Sequence, residues 1–267
     1  MKNKPILFID SGIGGLLYCR EFLKNNPKEE VCYLADNENF PYGTKTKDEL
    51  CEILVSLIGR TAAQIDPKIV VLACNTAAIS ALETLRVSFP NIPFVGTVPA
   101  IKPAAAASKN KKIGILGTAR TIEDPYNQKL AGESGNQCEI TAVAAPDLVN
   151  FVEERYEKSN DEEKTLIVKK YIGIFRAQGA DTLVLGCTHF LYLLDIFHRE
   201  ASADIKVFDS LDGIKKRVEF LLDENSGALR SENSSDPVHR LLLTGKIPED
   251  SLWYIHAKKL NFKLIQI

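Results

Sequence analysis

Two short runs in this 267-residue chain are near copies of each other. Ile69-Val70-Val71-Leu72-Ala73-Cys74-Asn75-Thr76-Ala77 and Thr182-Leu183-Val184-Leu185-Gly186-Cys187-Thr188-His189-Phe190 each carry an apolar strand into a cysteine. A hydrogen-bonding side chain follows each cysteine, and each run then leads into a helix. Strands without polar alternation fit sheets covered on both faces, which is the habit of parallel sheets flanked by helices. The duplication therefore points to one α/β unit used twice.

The rest of the chain alternates in the same way. Ile6 to Ile9 reads as a strand broken by Asp10-Ser11-Gly12-Ile13-Gly14-Gly15, and Leu16, Cys19 and Leu23 mark a helix closed by Pro27. Val31 to Ala35 is the next strand, and Leu50, Ile53, Leu54, Leu57 and Ile58 form a 3.6-period stripe on a long helix. Ile92 to Val95 is another strand. A second series starts after Ala104 to Ala107: a strand over Ile113–Leu116 ending in Gly117-Thr118, then a helix from near Thr121. A strand over Glu139–Val143 and helices over Asp147–Glu157 and Glu162–Gln178 follow it. The Cys187 strand comes next, and Ile205 to Phe208 is a last short strand. Asp223 to Asp236 reads as a polar, turn-rich loop, and Val238–Leu243 and Phe262–Ile267 add strands around a helix near Leu252.

Strands alternating with helices predict mainly parallel sheets. With the duplicated run and its two thiols, the expected fold is two similar α/β domains, related by a pseudo-twofold, with a cleft between them. The expected boundaries are 1–97 plus a returning 208–267 for the first domain and 98–207 for the second. A net charge of -2 leaves no electrostatic footprint for nucleic acid or an anionic membrane. Met1-Lys2-Asn3-Lys4-Pro5 lacks a secretory pattern, and no apolar run is long enough to span a bilayer, so the expectation is a soluble, cytoplasmic protein. The six cysteines form no C-x-x-C pair, which argues against structural zinc and thioredoxin-like redox chemistry. Cys19, Cys32, Cys51 and Cys138 read as packing groups.

Ligands of open α/β sheets bind outside the carboxyl ends of the strands. Here those ends supply Asp10-Ser11, Cys74-Asn75-Thr76, Gly117-Thr118, Cys187-Thr188-His189 and Asp209-Ser210. The set is rich in hydroxyls and thiols and poor in cationic side chains, which suits a small amino acid held by helix N-termini better than a polyphosphate. Neither a G-x-G-x-x-G fingerprint nor a Walker A lysine occurs. His189 is either a surface histidine or a group that tunes Cys187, and Asp10 is either a helix cap or a catalytic carboxylate. Two thiols at equivalent strand ends suit chemistry that takes a proton from one face of a carbon and returns it to the other.

Five motifs then stand in the order and spacing of glutamate racemases: Ile9-Asp10-Ser11-Gly12-Ile13-Gly14-Gly15-Leu16, Asp36 with Pro41-Tyr42-Gly43, Ala73-Cys74-Asn75-Thr76-Ala77, Gly117-Thr118-Ala119-Arg120-Thr121 and Leu185-Gly186-Cys187-Thr188-His189. The chain resembles that family over nearly its whole length, including Asp209-Ser210 and Thr244-Gly245. The resemblance implies a cofactor-independent and metal-free racemase with Cys74 and Cys187 as acid/base groups. Asp10 would support Cys74, and His189 and Glu153 would support Cys187. L- or D-glutamate would be held by Asp10, Ser11, Pro41, Tyr42, Gly43, Asn75, Thr76, Thr118, Thr121, Thr188 and His189. The family makes D-glutamate for peptidoglycan and commonly forms homodimers. The chain departs from the family pattern at Ala145 and Asn150, which flank Glu153, and at Phe190-Leu191. Rival readings are a racemase of aspartate or another small acid, a thiol hydrolase built on Cys187 and His189, and a non-catalytic amino-acid binder.

Overall fold

A computed structural model describes residues 4–125, 130, 138–202, 204–227, 229–231, 237–249 and 251–267. The chain divides into two compact units, Met1–Thr97 with Leu211–Ile267, and Val98–Ser210.

The first unit is built on a wholly parallel sheet. Its strands are β1 (Ile6–Asp10), β2 (Val31–Ala35), β3 (Ile69–Leu72), β4 (Phe94–Gly96), β9 (Arg240–Leu243) and β10 (Lys263–Gln266), in the order β10-β9-β2-β1-β3-β4. All residues of β1, β2 and β3 are buried, as expected of central parallel strands covered by helices on both sides. The register is what matters for function. Asp10 pairs with Ala35, Ile9 with Leu72, and Ala35 with Leu243. The residues that follow, Asp36, Ala73-Cys74 and Thr244, therefore leave the sheet along one carboxyl edge beside Asp10.

Helix Lys47–Ile65 begins at a capping box in which Thr46 and Glu49 satisfy each other's backbone N–H groups. It buries Leu50, Leu54, Leu57 and Ile58 on one face, with Ile53 only half-buried. Together with helix Asn75–Ser88 it covers one core cluster of this sheet, in which Leu7, Ile9, Leu72 and Cys74 meet Ala77, Ala81 and Leu85. The expected loop over Asp223–Asp236 is corrected in its first part. Helix Leu211–Gly227 runs through Asp223, so Asn225-Ser226-Gly227 ends a helix instead of forming a turn. Ile214, Val218, Leu221 and Leu222 are buried along one face of that helix, and burial of an apolar stripe outweighs the weak helix propensity of a polar tail. Arg230 adds a bidentate grip on Asp223. Asn233-Ser234-Ser235 lies outside the described residues.

The second unit carries β5 (Lys112–Gly117), β6 (Glu139–Ala144), β7 (Thr182–Gly186) and β8 (Lys206–Phe208), all parallel, in the order β6-β5-β7-β8. Gly117 pairs with both Ala144 and Gly186, so Thr118, Ala145 and Cys187 leave this sheet at one level. Residues 208–210 stay with this unit, where Phe208 pairs with Val184. Edge strand β6 is half-exposed, unlike the fully buried β7. Helix Asp161–Ala177 is held at its start by an Asn160–Glu163 capping box.

Candidate functional site

In the first unit β1 ends on Asp10, which is fully buried. One carboxylate oxygen accepts the Ser11 backbone N–H at 2.6 Å. The chain must then turn beneath the next strand. A Cβ on Gly15 would lie 2.8 Å from the Ala73 carbonyl oxygen and 2.9 Å from the Tyr33 hydroxyl, so only glycine permits the close approach. Tyr33 donates its hydroxyl to the Gly12 carbonyl at 2.6 Å and fixes the turn from the other side.

Cys74 sits on the N-cap of helix Asn75–Ser88 in extended backbone, and its own carbonyl accepts the Ala78 N–H at 2.9 Å. It is 8% exposed. At a helix N-terminus the unpaired backbone N–H groups favour negative charge, which suits both a thiolate and a carboxylate ligand. Asn75, the next residue, is buried, and both ends of its amide lack a hydrogen-bond partner. Leaving a buried polar group unused costs about 1–3 kcal/mol.

Asp36 organises the opposite side of this edge. Its carboxylate accepts from the Tyr42 hydroxyl at 2.7 Å, from Asn39 at 3.0 Å and from the Thr244 hydroxyl at 2.8 Å. Burial pushes the Tyr42 phenol well above its ordinary pKa, and the neighbouring Asp36, Cys74 and Asp10 charges add to this. The ring therefore stays a neutral donor, locked under the Pro41-Tyr42-Gly43 segment. Asp36 and Thr244 appear in the sequence only as parts of motifs. The signal for Asp36 was its position at the end of a strand, equivalent to that of Asp10.

In the second unit Cys187 follows β7 and is 6% exposed. Its Sγ lies 3.7 Å from His189 Nδ1, and His189 Nε2 lies 2.8 Å from a Glu153 carboxylate oxygen. Burial alone would push the His189 imidazole down. Hydrogen bonds and negative charge from Cys187 and Glu153 outweigh it and hold the pKa well above the usual histidine range. In its protonated form the ring would donate to Glu153 on one side and point its other N–H at sulfur.

The helices at these two places differ in winding from what was expected. The Cys187 run does not open directly into an α-helix: His189 lies in the first turn of a 3₁₀ segment, Thr188–Leu193, which precedes helix Leu194–Ala201. That segment buries Thr188, His189, Phe190, Leu191 and Leu193, so packing on all sides favours the tighter winding. The expected helix over Asp147–Glu157 is present, winding as an α-turn over Pro146–Asn150 and then as a π-turn, Phe151–Arg155, that carries Glu153. Thr118 caps helix Ala119–Glu123 through its side chain and donates its hydroxyl to Thr121 at 3.0 Å. Thr76, Thr121 and Thr188 are buried.

Cys19 and Cys32 are buried, and burial pushes both thiols up, as fits inert packing groups. Cys51 and Cys138 are only partly buried. Among the described residues no cluster of three His, Cys, Asp or Glu could hold a metal ion, and no helix is long and apolar enough to cross a membrane.

The described parts define an α/β protein with two thiols, each leaving a parallel strand at a helix start and each beside acid/base side chains. The family model described as Asp/Glu/Hydantoin racemase matches residues 19–213. The chain belongs to this family of isomerases. It is 38% identical to the glutamate racemase of Brucella anthropi over 223 residues, 82% of this chain and 80% of that protein. The crystal structure of glutamate racemase isoform RacE1 from Bacillus anthracis superposes with a TM-score of 0.83 at 29% identity, covering 100% of this chain and 98% of that one. The Escherichia coli glutamate racemase, solved with L-glutamate and the activator UDP-MurNAc-ala, gives 0.82 at 28% identity, covering 98% and 97%.

Proposed function

We propose that this protein is a glutamate racemase that interconverts L- and D-glutamate without a cofactor. The observation that carries the reading is the duplication itself. Two nearly buried thiols, Cys74 and Cys187, each follow a parallel strand and open a helical segment. One thiol would suffice for a hydrolase. Inversion at carbon needs a base on one face and an acid on the other, with the roles exchanged for the opposite enantiomer.

The difficulty is the weak acidity of the Cα proton. A thiol of ordinary pKa, about 8.5, is only a few per cent ionised at neutral pH. The residues around each sulfur address this. On one side the N-terminus of helix Asn75–Ser88 favours negative charge at Cys74, and Asp10 is a neighbouring carboxylate that takes or returns a proton. On the other side the His189 imidazolium, backed by Glu153, stabilises the Cys187 thiolate or delivers a proton to it. Charge developing on the substrate carboxylate is met by preorganised donors: Ser11, the Tyr42-Gly43 backbone, Asn75, Thr76, Thr118, Thr121 and Thr188. On the same reading the protein works in the cytoplasm as a homodimer, and its D-glutamate goes to peptidoglycan.

Purified protein in deuterated water, given L-glutamate and no added cofactor, is expected to yield D-glutamate bearing deuterium at Cα. Product that keeps protium there, or turnover of aspartate alone, would overturn the assignment.

The His189 pairing has its own consequence. Because its folded pKa is raised, the pairing contributes stability that is fully present below about pH 6.5 and is lost as pH rises through the folded value. Urea unfolding should therefore show wild type more stable than Glu153→Gln at pH 6, with the gap narrowing as pH increases. A gap that widens with pH would contradict the assignment of the imidazolium.

A further inference from the structure

We propose that Tyr192, through edge-on packing against Tyr156, is a positioning residue that holds Glu153 on His189. Tyr192 lies three residues after His189 on the 3₁₀ segment Thr188–Leu193, and Tyr156 lies three residues after Glu153, directly beyond the π-turn. In a 3₁₀ helix residues i and i+3 stand on the same face. The two segments therefore touch at two successive rungs. The first is the Glu153–His189 contact at 2.8 Å. The second is the ring pair, with centroids 5.2 Å apart and planes at 72°, a geometry that aromatic pairs favour.

A π-turn is a rare local conformation that single segments seldom hold alone. This one is braced from helix Asp161–Ala177. The Lys164 ammonium sits 4.1 Å from the Tyr156 ring centroid, and Arg155 binds Glu163 at 2.9 Å. Asp147, at the start of the preceding α-turn, accepts from Lys170 and Tyr171 of the same helix. These contacts brace both ends of the turn from helix Asp161–Ala177. The Tyr192 ring braces it from the histidine's own segment: removing it would let the π-turn drift while Cys187 and His189 kept their own backbone. Cys187 and Glu153 both face the His189 ring, so drift of the π-turn is felt there as loss of the carboxylate.

The kinetic consequence rests on the racemase reading, whereas the contact itself is tested by titration, which needs no turnover. The imidazole of His189 is followed by NMR in the full-length protein and assigned against His189→Gln. Tyr192→Leu is expected to lower its midpoint by about one pH unit or more. The same variant should reduce kcat roughly tenfold, within the span of a single acid/base contribution, and leave KM nearly unchanged. Tyr192→Phe, which keeps the ring edge, is expected to restore both. A folded Tyr192→Leu with an unchanged midpoint would overturn the proposal, as would a Tyr192→Phe that behaves like the leucine variant. Should Tyr192→Leu fail to fold, Lys164→Met loosens Tyr156 from its other face and is expected to shift the midpoint the same way; no shift there would also overturn it. If the wild type racemises no glutamate, the functional reading falls and the titration still decides the contact.

Discussion

Cys74→Ala and Cys187→Ala are each expected to lose L-to-D and D-to-L conversion by at least about a thousandfold, as removal of an essential proton-transfer group does. The more telling result lies in what remains. A variant with one thiol can still take the Cα proton from the enantiomer that presents it to that sulfur. With no acid opposite, the proton or deuteron returns to the same face. Each single variant should thus wash deuterium from solvent into one enantiomer without inverting it, and the two variants should label opposite enantiomers. Chiral chromatography with mass detection separates the outcomes. A Cys74→Ala protein that racemises within tenfold of wild type would end the two-base reading and leave the Cys187–His189 hydrolase in its place. Loss of neither activity would leave only an amino-acid binder.

Lys68→Met is expected to destabilise the protein by about 3–5 kcal/mol, the usual effect of stranding one member of a buried ion pair. The Lys68 ammonium lies 2.5 Å from Glu29, and the two side chains are 5% and 4% exposed. The ammonium also donates to the Leu229 carbonyl at 2.7 Å and to the Ser231 hydroxyl at 3.1 Å. Glu29 in turn accepts from the Ser231 backbone N–H and hydroxyl. The pair therefore pins the segment leaving helix Leu211–Gly227 to the amino-terminal edge of the first sheet, where Lys68 donates its backbone N–H to Pro5. Without the ammonium, the buried Glu29 carboxylate loses its counter-charge and the Leu229 carbonyl loses a donor. Replacing both charges, as in Lys68→Met with Glu29→Leu, should recover a large part of the loss, because the desolvation cost of the pair vanishes with it. The urea midpoint checks both expectations. A single variant within 1 kcal/mol of wild type, on the order of a surface ion pair, would show that the pair is not the pin.

The elements that carry the chemistry were legible because they are short-range patterns. An apolar strand followed by a cysteine and a helix start announces its geometry within nine residues, twice, and places Cys74 and Cys187 at helix starts without knowledge of any neighbour. The Asp10-to-Gly15 turn was legible as a turn, but its reason was not. Gly15 is demanded by Ala73 and Tyr33, residues far off in the chain that only the sheet brings close. Asp36 and Thr244 show the same limit. One ends β2 and the other follows β9, and nothing in either stretch says that a carboxylate and a hydroxyl will meet at 2.8 Å.

Helix type was the harder matter. Hydrophobic spacing distinguishes helix from strand, but α, 3₁₀ and π windings differ by fractions of a residue per turn, and local propensity does not separate them. The π-turn at Glu153 and the 3₁₀ turn at His189 are choices made by what each segment packs against. The polar tail at Asp223 became helix for the same cause, since burial of Ile214, Val218 and Leu222 on one face extends the winding beyond the residues that drive it.

Periodicity, strand-end chemistry and turn residues were thus enough to specify two parallel α/β units and the thiols at their carboxyl edges, because these depend on near neighbours. The orientation of His189 by Glu153, the anchoring of Tyr42 by Asp36 and the buried Lys68–Glu29 pin came from folding alone. Each joins residues on different elements, and its energy exists only after the sheet register has excluded water between them.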